Sequence, residues 1–441
     1  MIEKTVNIEA LRENILKLKE ISAKNSQKTE ILSKKNKKTH KLRKRKYGCP
    51  PKFCAVVKAN AYGHGYKEVC NGIADLVDYF AVANVKEALQ VRALKLKKRI
   101  LILGKVSQAD LPTLIKKGIR LTVDSLQDVE FISTAAADLS KRAYVHIKVN
   151  TGMNRLGVKT PLQLQTLLTQ ISNYANITVE GVYTHFATAD SDNSYKLKRQ
   201  NAKFQAMLDV IDNKKIIAHA SNSSAFLRSG KFCYDMVRVG LAMYGYTNST
   251  KVALKPCLQV RAKVVKTQTL QKGESVGYGA SFVATHRMQI AVVAIGYADG
   301  YARAYQNGVV LICGQKCPIV GRVCMDMLMC DITNLKLKTT YTCSGIFDNA
   351  VNKICDTLHI TPTFGDEVMM LSFKSMIQKS FPRNYNLYKS VDDLFGVDPK
   401  LLSHATLLGS DGEEEITAQD LAKLSNTIEY EVLTNFNLLR E

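Results

Sequence analysis

Lys58 closes an apolar run, Phe53-Cys54-Ala55-Val56-Val57, and leads into Ala59-Asn60-Ala61-Tyr62-Gly63-His64-Gly65. A lysine at the end of a buried strand is costly unless its amine snorkels to water or is used. A partly desolvated amine has a lowered pKa and forms Schiff bases with carbonyl compounds. Other residues able to do chemistry follow apolar runs in the same way. Lys148 ends one run and opens the stretch Val149-Asn150-Thr151-Gly152-Met153-Asn154-Arg155-Leu156-Gly157. His185, His219 and Arg238 lie at the ends of three more. Ser221-Asn222-Ser223-Ser224 stands before Ala225-Phe226-Leu227, which has helical character. The free N–H groups of a helix start suit a phosphate. His64 reads equally as a turn-stabilising side chain and as a catalytic one.

These residues need elements to bring them together. Eight β-branched apolar runs begin at Phe53, Tyr79, Arg99, Arg120, Tyr144, Ile177, Ile216 and Met236, a mean interval of about 26 residues. Continuous rather than alternating apolar runs suit parallel strands covered on both faces. Val85–Val91 and Ala109–Lys117 carry helical spacing between them. Eight strand–helix units predict a (β/α)8 barrel, whose chemistry gathers at the C-terminal strand ends. A doubly wound open sheet is the alternative, but no GxGxxG follows any of these runs. Beyond Tyr246 the pattern changes. LQVRAKVVKTQTL, QIAVVAIGY, GVVLICGQ and DEVMMLS read as strands, with no long helix before Thr417. The expected architecture is therefore α/β, a (β/α)8 barrel followed by a mainly β C-terminal domain. The barrel is expected over 9–246, with a basic insertion near 26–48. The β domain is expected over 247–441, with residues 1–8 a candidate addition and insertions near 336–361 and 373–404.

A Schiff-base lysine, a phosphate cradle after strands seven and eight and several buried cations describe a pocket for pyridoxal 5'-phosphate. The motifs then fall into a familiar order. AVVKANAYGHG at Ala55–Gly65 resembles the lysine motif of bacterial alanine racemases. Thr151-Gly152-Met153, Arg155-Leu156-Gly157, MVRVGLAMYG, Val276-Gly277-Tyr278-Gly279-Ala280, GYADGY from Gly296, GRVCMD from Gly321 and EEEITAQDLAKLSNTIEYEVLTNF continue the resemblance. The resemblance implies a fold-type III enzyme that interconverts L- and D-alanine, as a homodimer with shared active sites, and supplies D-alanine for peptidoglycan. It implies that Lys58 binds pyridoxal phosphate and acts as one base, and that Tyr278 from the other subunit is the second. Arg238 matches the residue facing the pyridine nitrogen, and His185 the link from Arg238 to Tyr278. Tyr62, Ser223 and Gly240 match phosphate contacts. Arg155 matches a contact to the cofactor's phenolic oxygen and the substrate carboxylate. Met325 and Asp326 match groups that close the substrate pocket, and Tyr297 its entrance. Lys148 matches a lysine carbamylated in some members.

Three positions depart from that pattern. Asn150 stands where Asp is expected and Asn154 where Gly is frequent. The C-terminal isoleucine–serine–tyrosine stretch of the family is read here as Asn435-Phe436-Asn437-Leu438, without the tyrosine. Racemases of broader specificity, including serine, and non-catalytic pyridoxal-phosphate-binding proteins remain the alternatives. Tyr278 and its β domain argue against the latter.

Two-base racemisation fits these residue types, because inversion needs a proton carrier on each face of the substrate α-carbon. Arginine stays protonated, so Arg238 has no acceptor for a proton from the pyridine nitrogen. A ring left unprotonated there is a weaker electron sink, which would restrain transamination.

Composition sets the outer limits. The 441 residues are 46% hydrophobic, enough for a large core. No apolar run approaches the roughly 18 residues of a membrane span. The N-terminal MIEKTVNIEALREN lacks a signal's apolar region, so a cytoplasmic location is expected, with the 11 cysteines reduced. Cys313, Cys317, Cys324 and Cys330 lack paired CxxC spacing, and no metal is expected. The formal charge is +23, with nine basic residues between Lys34 and Lys46. That stretch has no interleaved aromatics, so it reads as a solvated loop rather than a nucleic-acid site.

Overall fold

The computed structural model describes residues 2–35, 50–191, 193–213, 215–250, 252–335 and 402–438. Strand β1 (Ile2–Val6) opens the chain, followed by a helix over Ile8–Lys35. No glycine or proline interrupts Ile8–Tyr47, and Leu, Lys and Glu dominate, so the local preference is helical. Leu11, Ile15 and Leu18 fall one turn apart and are fully buried. The helix runs to Lys35, into the expected basic insertion near 26–48 and over the first two residues of the stretch expected as a loop from Lys34. The remainder of that insertion lies outside the described residues, as do the strand-like DEVMMLS and both expected insertions up to residue 401.

All eight apolar runs form parallel strands. They are β2 (Lys52–Val56), β3 (Tyr79–Val82), β4 (Arg99–Ile102), β5 (Leu121–Val123), β6 (Ala143–Lys148), β7 (Ile177–Tyr183), β8 (Ile217–His219) and β9 (Met236–Val239). They pair in the order β4-β3-β2-β9-β8-β7-β6-β5. A parallel bridge between Leu101 and Arg120 draws the two outer strands together and nearly closes the barrel. Closure is needed because open parallel edges would expose unpaired N–H and C=O groups. Helices such as Val85–Ala93, capped by Asn84, and Leu126–Asp138, with its Ser125 capping box, cover the outside.

The C-terminal part is antiparallel. β10 (Leu258–Leu270) is its long central strand, and the short β11 (Ser275–Val276) and β12 (Phe282–Val283) form a separate hairpin. β13 (Met288–Val293), β14 (Val309–Ile312), β15 (Gln315–Pro318), β16 (Leu328–Asp331), β17 (His404–Asp411) and β18 (Glu414–Ile416) follow. The main sheet runs β15-β14-β17-β10-β13-β16, with β18 beside β17. β1 pairs antiparallel with β10, Ile2 opposite Ala262 and Val6 opposite Leu258. One apolar core runs continuously from the barrel into this sheet through Met243, Tyr244 and Cys257. A smaller cluster of Leu270, Val276, Met288, Ile290 and Val320 supports the turn that carries Tyr278.

The N-terminal helix binds the two parts. Asn14 Nδ2 donates to the Lys255 carbonyl at 2.8 Å, and Lys255 N–H donates back to Asn14 Oδ1 at 2.9 Å. Replacing the fully buried Leu11 by alanine is expected to cost about 2–5 kcal/mol through lost burial and the cavity left behind. A urea midpoint at fixed protein concentration measures it, and an unchanged midpoint would refute the packing role.

Candidate active site

The C-terminal strand ends bring eight of the expected residues to one cavity of about 400 Å³. Lys58, Tyr62, Lys148, Arg155, His185, Ser223, Arg238 and Gly240 all line it. Four of these are cations, and no carboxylate among the described residues lines the cavity. Burial lowers the Lys58 pKa, and Arg155 lowers it further. Burial also takes Lys148 well below the ordinary lysine value, with Arg238 and Arg155 adding to the effect. The Lys148 ammonium position lies 4.0 Å from the centre of the Tyr183 ring. Buried among these cations, His185 is pushed down to about 2 and is a neutral imidazole.

Arg238 sits in β9 and is almost wholly buried. Its Nη2 donates to the carbonyls of Thr184 at 2.7 Å and Ala220 at 3.1 Å, and approaches His185 Nδ1 at 3.4 Å. Its Nη1 donates to His219 Nδ1 at 2.8 Å. The shorter histidine bond is thus to His219, which sequence reading recognised as a strand-end residue but gave no role.

Tyr62, Ser223 and Gly240 lie together in the cavity wall. Ser223 Oγ accepts from the backbone N–H groups of Gly240 at 3.2 Å and Ala242 at 3.3 Å. A Cβ at Gly240 would lie 2.6 Å from the Tyr62 hydroxyl, so only glycine lets strand and hydroxyl approach. Hydroxyls and backbone donors therefore converge on one corner of a positively charged cavity.

Lys58 is followed by an unusual backbone. Ala59, Asn60, Ala61 and Tyr62 have φ of 50°, 52°, 55° and 53°, and Gly63 has 80°. Each left-handed non-glycine residue costs roughly 1–2 kcal/mol, so this turn persists only if its surroundings hold it. Glu87 holds one side, its Oε1 accepting from Ala59 N–H at 2.8 Å and Oε2 from Ala83 N–H at 2.7 Å. Asn60 Oδ1 accepts from Tyr66 N–H at 2.8 Å. The C-terminal segment and β1 hold the other side. Asn437 Nδ2 donates to the Ala59 carbonyl at 3.1 Å, and Lys4 Nζ to the Gly63 carbonyl at 3.0 Å.

The departures at Asn150 and Asn154 explain each other. Asn150 Oδ1 accepts from Gly152 N–H at 3.0 Å and Asn154 N–H at 3.1 Å, and its Nδ2 donates to Asn154 Oδ1 at 3.2 Å. Asn154 is left-handed at φ 54°, a conformation that asparagine tolerates better than most residues. Asp124 Oδ2 accepts from Gly157 N–H at 2.6 Å, fixing the far end of the loop that carries Arg155.

The expected loss of a C-terminal tyrosine is corrected. Tyr430, in Ile428-Glu429-Tyr430, lines the cavity, and its ring centre lies 5.6 Å from that of Tyr62. The stretch that reaches the site lies a few residues earlier than Asn435–Leu438, on a helix over Glu429–Asn435. The Ile-x-Tyr spacing was the available signal.

Tyr278, Met325, Asp326 and Tyr297 are not brought to Lys58 within one chain. The first three line a separate open cavity of about 610 Å³ on the β domain. Tyr297 neighbours it, its N–H donating to the Cys324 carbonyl at 3.1 Å. Tyr278 is 69% exposed and Met325 52%, high values for large apolar or aromatic side chains. Among the described residues no group of three or more His, Cys, Asp or Glu is placed to hold a metal, and no helix is long and apolar enough to cross a membrane.

A barrel with a lysine at its strand ends and a cavity whose charged described lining residues are all cations, joined to an antiparallel β domain, defines a class of barrel enzymes for anionic ligands that carry a carbonyl. Within that class the chain belongs to the alanine racemase family. Residues 35–248 match the alanine racemase N-terminal domain and residues 257–380 its C-terminal domain. The alanine racemase of Streptococcus equi subsp. zooepidemicus is 35% identical over 340 residues, 76% of this chain and 91% of that protein. The solved alanine racemase from E. faecalis superposes with a TM-score of 0.73 at 27% identity, over 99% of this chain and 96% of that one. The alanine racemase from Bacillus anthracis, solved with bound L-Ala-P, gives 0.72 at 27% identity, over 99% of this chain and 92% of that one.

Glu87 accepts from two backbone donors, the N–H groups of Ala59 and Ala83. Its replacement by alanine is expected to cost about 2 kcal/mol, the penalty of leaving such groups unmade. Thermal unfolding measures this, and an unchanged transition would show that the turn is held without it.

Proposed function

We propose that this chain interconverts L- and D-alanine using pyridoxal 5'-phosphate held on Lys58, in a homodimer whose second copy contributes Tyr278. The observation that carries the reading is the cavity around Lys58, with four cations, the hydroxyls of Tyr62 and Ser223, and no carboxylate among the described lining residues. The residues present fit the group. A lowered lysine pKa supplies the neutral amine that imine formation needs, and the cationic lining suits a phosphate dianion. The close approach of Gly240 to the Tyr62 hydroxyl leaves that hydroxyl beside Ser223, where a phosphate oxygen would accept from both.

When bound, the cofactor would supply a carbonyl carbon that reacts with amines and an electron-withdrawing ring that acidifies the substrate α-C–H bond. The chain's residues do the rest. Lys58 Nζ takes or returns the α-proton on one face, and Tyr278 Oη of the second copy does so on the other. Arg155 orients the substrate carboxylate. Tyr62, Ser223 and Gly240 would hold the phosphate, and Tyr430 packs against Tyr62 at that corner. Arg238 would face the ring nitrogen with a fixed positive charge and, having no acceptor, would take no proton from it. His185, neutral and beside Arg238, connects that charge to the incoming Tyr278. Met325 and Asp326 narrow the substrate space of the neighbouring subunit, and Tyr297 lines its entrance.

The exposure of Tyr278 and Met325 supports the shared-site arrangement, because one chain leaves both uncovered. Lys148 has a strongly depressed pKa and no ion pair with a carboxylate among the described residues. It is the candidate for carbamylation, which turns a neutral amine into an anion beside Arg155. D-Alanine made in the cytoplasm would serve peptidoglycan.

Mixing inactive Lys58→Ala and Tyr278→Phe chains is expected to restore part of the racemase activity, because each hybrid holds one intact site. A chiral alanine assay after proven subunit exchange measures it, and mixtures that stay dead would refute the shared site. Arg238→Glu is expected to raise pyruvate formation relative to racemisation, since a carboxyl group can protonate the ring nitrogen. An unchanged ratio would sink the role given to Arg238.

A further inference from the structure

Behind Arg238 a chain of polar groups crosses the barrel interior. His219 Nε2 lies 2.8 Å from His146 Nδ1, and His146 Nε2 lies 3.3 Å from Glu180 Oε2. Glu180 is held at the other end of the barrel by Arg120, through Nε at 2.9 Å and Nη2 at 3.2 Å. Arg99, the first residue of β4, adds an ion pair at 3.5 Å. The barrel makes room for this chain. A Cβ at Gly181, in the middle of β7, would lie 2.3 Å from His146 Nδ1. The β6–β7 register shifts between Val145 and His146. His219 is stacked on Tyr183 at 4.7 Å with the rings 2° from parallel.

The hydrogen positions follow from the two ends. Arginine has no acceptor, so His219 Nδ1 must be a bare lone pair and its hydrogen must sit on Nε2. His146 Nδ1 then accepts, and its own hydrogen sits on Nε2, directed at Glu180. Both imidazoles are fully buried, which favours their neutral forms. In the reversed arrangement His219 Nδ1–H would point at Arg238 Nη1, two donors face to face, and Glu180 would lose its imidazole donor.

We propose that Glu180 is a positioning residue for Arg238. Its carboxylate fixes the hydrogens of His146 and His219 so that the arginine keeps an acceptor and a fixed orientation toward the cavity. The functional part of this inference rests on the role given to Arg238 above, while the hydrogen assignment stands on geometry alone. Without Glu180 the His146 Nε2–H is left buried and unpaired, and the reversed arrangement becomes competitive. Glutamine at the same position still offers a carbonyl oxygen to His146.

Nitrogen-15 NMR of the ring-labelled holoenzyme tests this, with His146 and His219 assigned by single replacement with glutamine. Both rings are expected to carry hydrogen on Nε2 and none on Nδ1 at neutral pH. Glu180→Ala is expected to mix the tautomers and lower kcat about tenfold with KM changed less than about twofold, the pattern of a misoriented group. Glu180→Gln is expected to restore the tautomers and most of kcat. A wild-type ring with hydrogen on Nδ1, or nitrogen shifts unmoved in both Glu180→Ala and Glu180→Gln with kcat unchanged, would overturn the proposal. Failure of the alanine racemase reading would instead show as absent activity with the wild-type tautomers as assigned.

Discussion

Four cations, Lys58, Lys148, Arg155 and Arg238, face one cavity at the mouth of the barrel with no carboxylate among the lining residues. Charges of one sign so placed repel, and burial makes each cost more. Burial and these neighbours lower the pKa of both lysines, which makes their protons easier to lose. Arg238 has no such outlet, so it is held by carbonyls and by a histidine nitrogen instead. The rest of the site depends on this imbalance. It makes the lysine amine neutral enough to react and leaves the pocket in need of an anion.

Holding such a pocket open calls for rigidity around it. The left-handed turn after Lys58 is stored strain, and its restraints come from separate parts of the chain. Glu87 reaches it from a barrel helix, Lys4 from the first strand and Asn437 from the C-terminal end. The first strand itself pairs with the β domain, so the two ends of the chain and both parts of the fold meet at the lysine. The shared core between barrel and sheet therefore does more than add buried area, because it fixes where Lys58 points.

A single chain leaves its chemistry divided. The barrel holds the cations and the phosphate-like cradle, while Tyr278, Met325 and Asp326 face outward from the β domain. An exposed tyrosine beside exposed methionines is an unusual surface for a monomer. A partner covering it would bury apolar area and supply the second proton carrier in one step.

The amino-acid sequence alone determined the barrel's eight strands, the order of the two parts and the lysine, because apolar runs, their spacing and short motifs are local properties. Lys58, Arg155 and Arg238 were legible for the same reason, each marking the end of a run or a motif. Other features needed the tertiary structure. The start of the basic segment continues a helix whose earlier turns Leu11, Ile15 and Leu18 anchor in the core, a contact between distant parts of the chain. Tyr430 became part of the pocket only when the Glu429–Asn435 helix docked against Tyr62. The pairing of His219 with His146 and of His146 with Glu180 joins residues 73 and 34 positions apart on different strands. Such contacts are set by the register of neighbouring strands and by barrel closure, and no spacing along one strand encodes them.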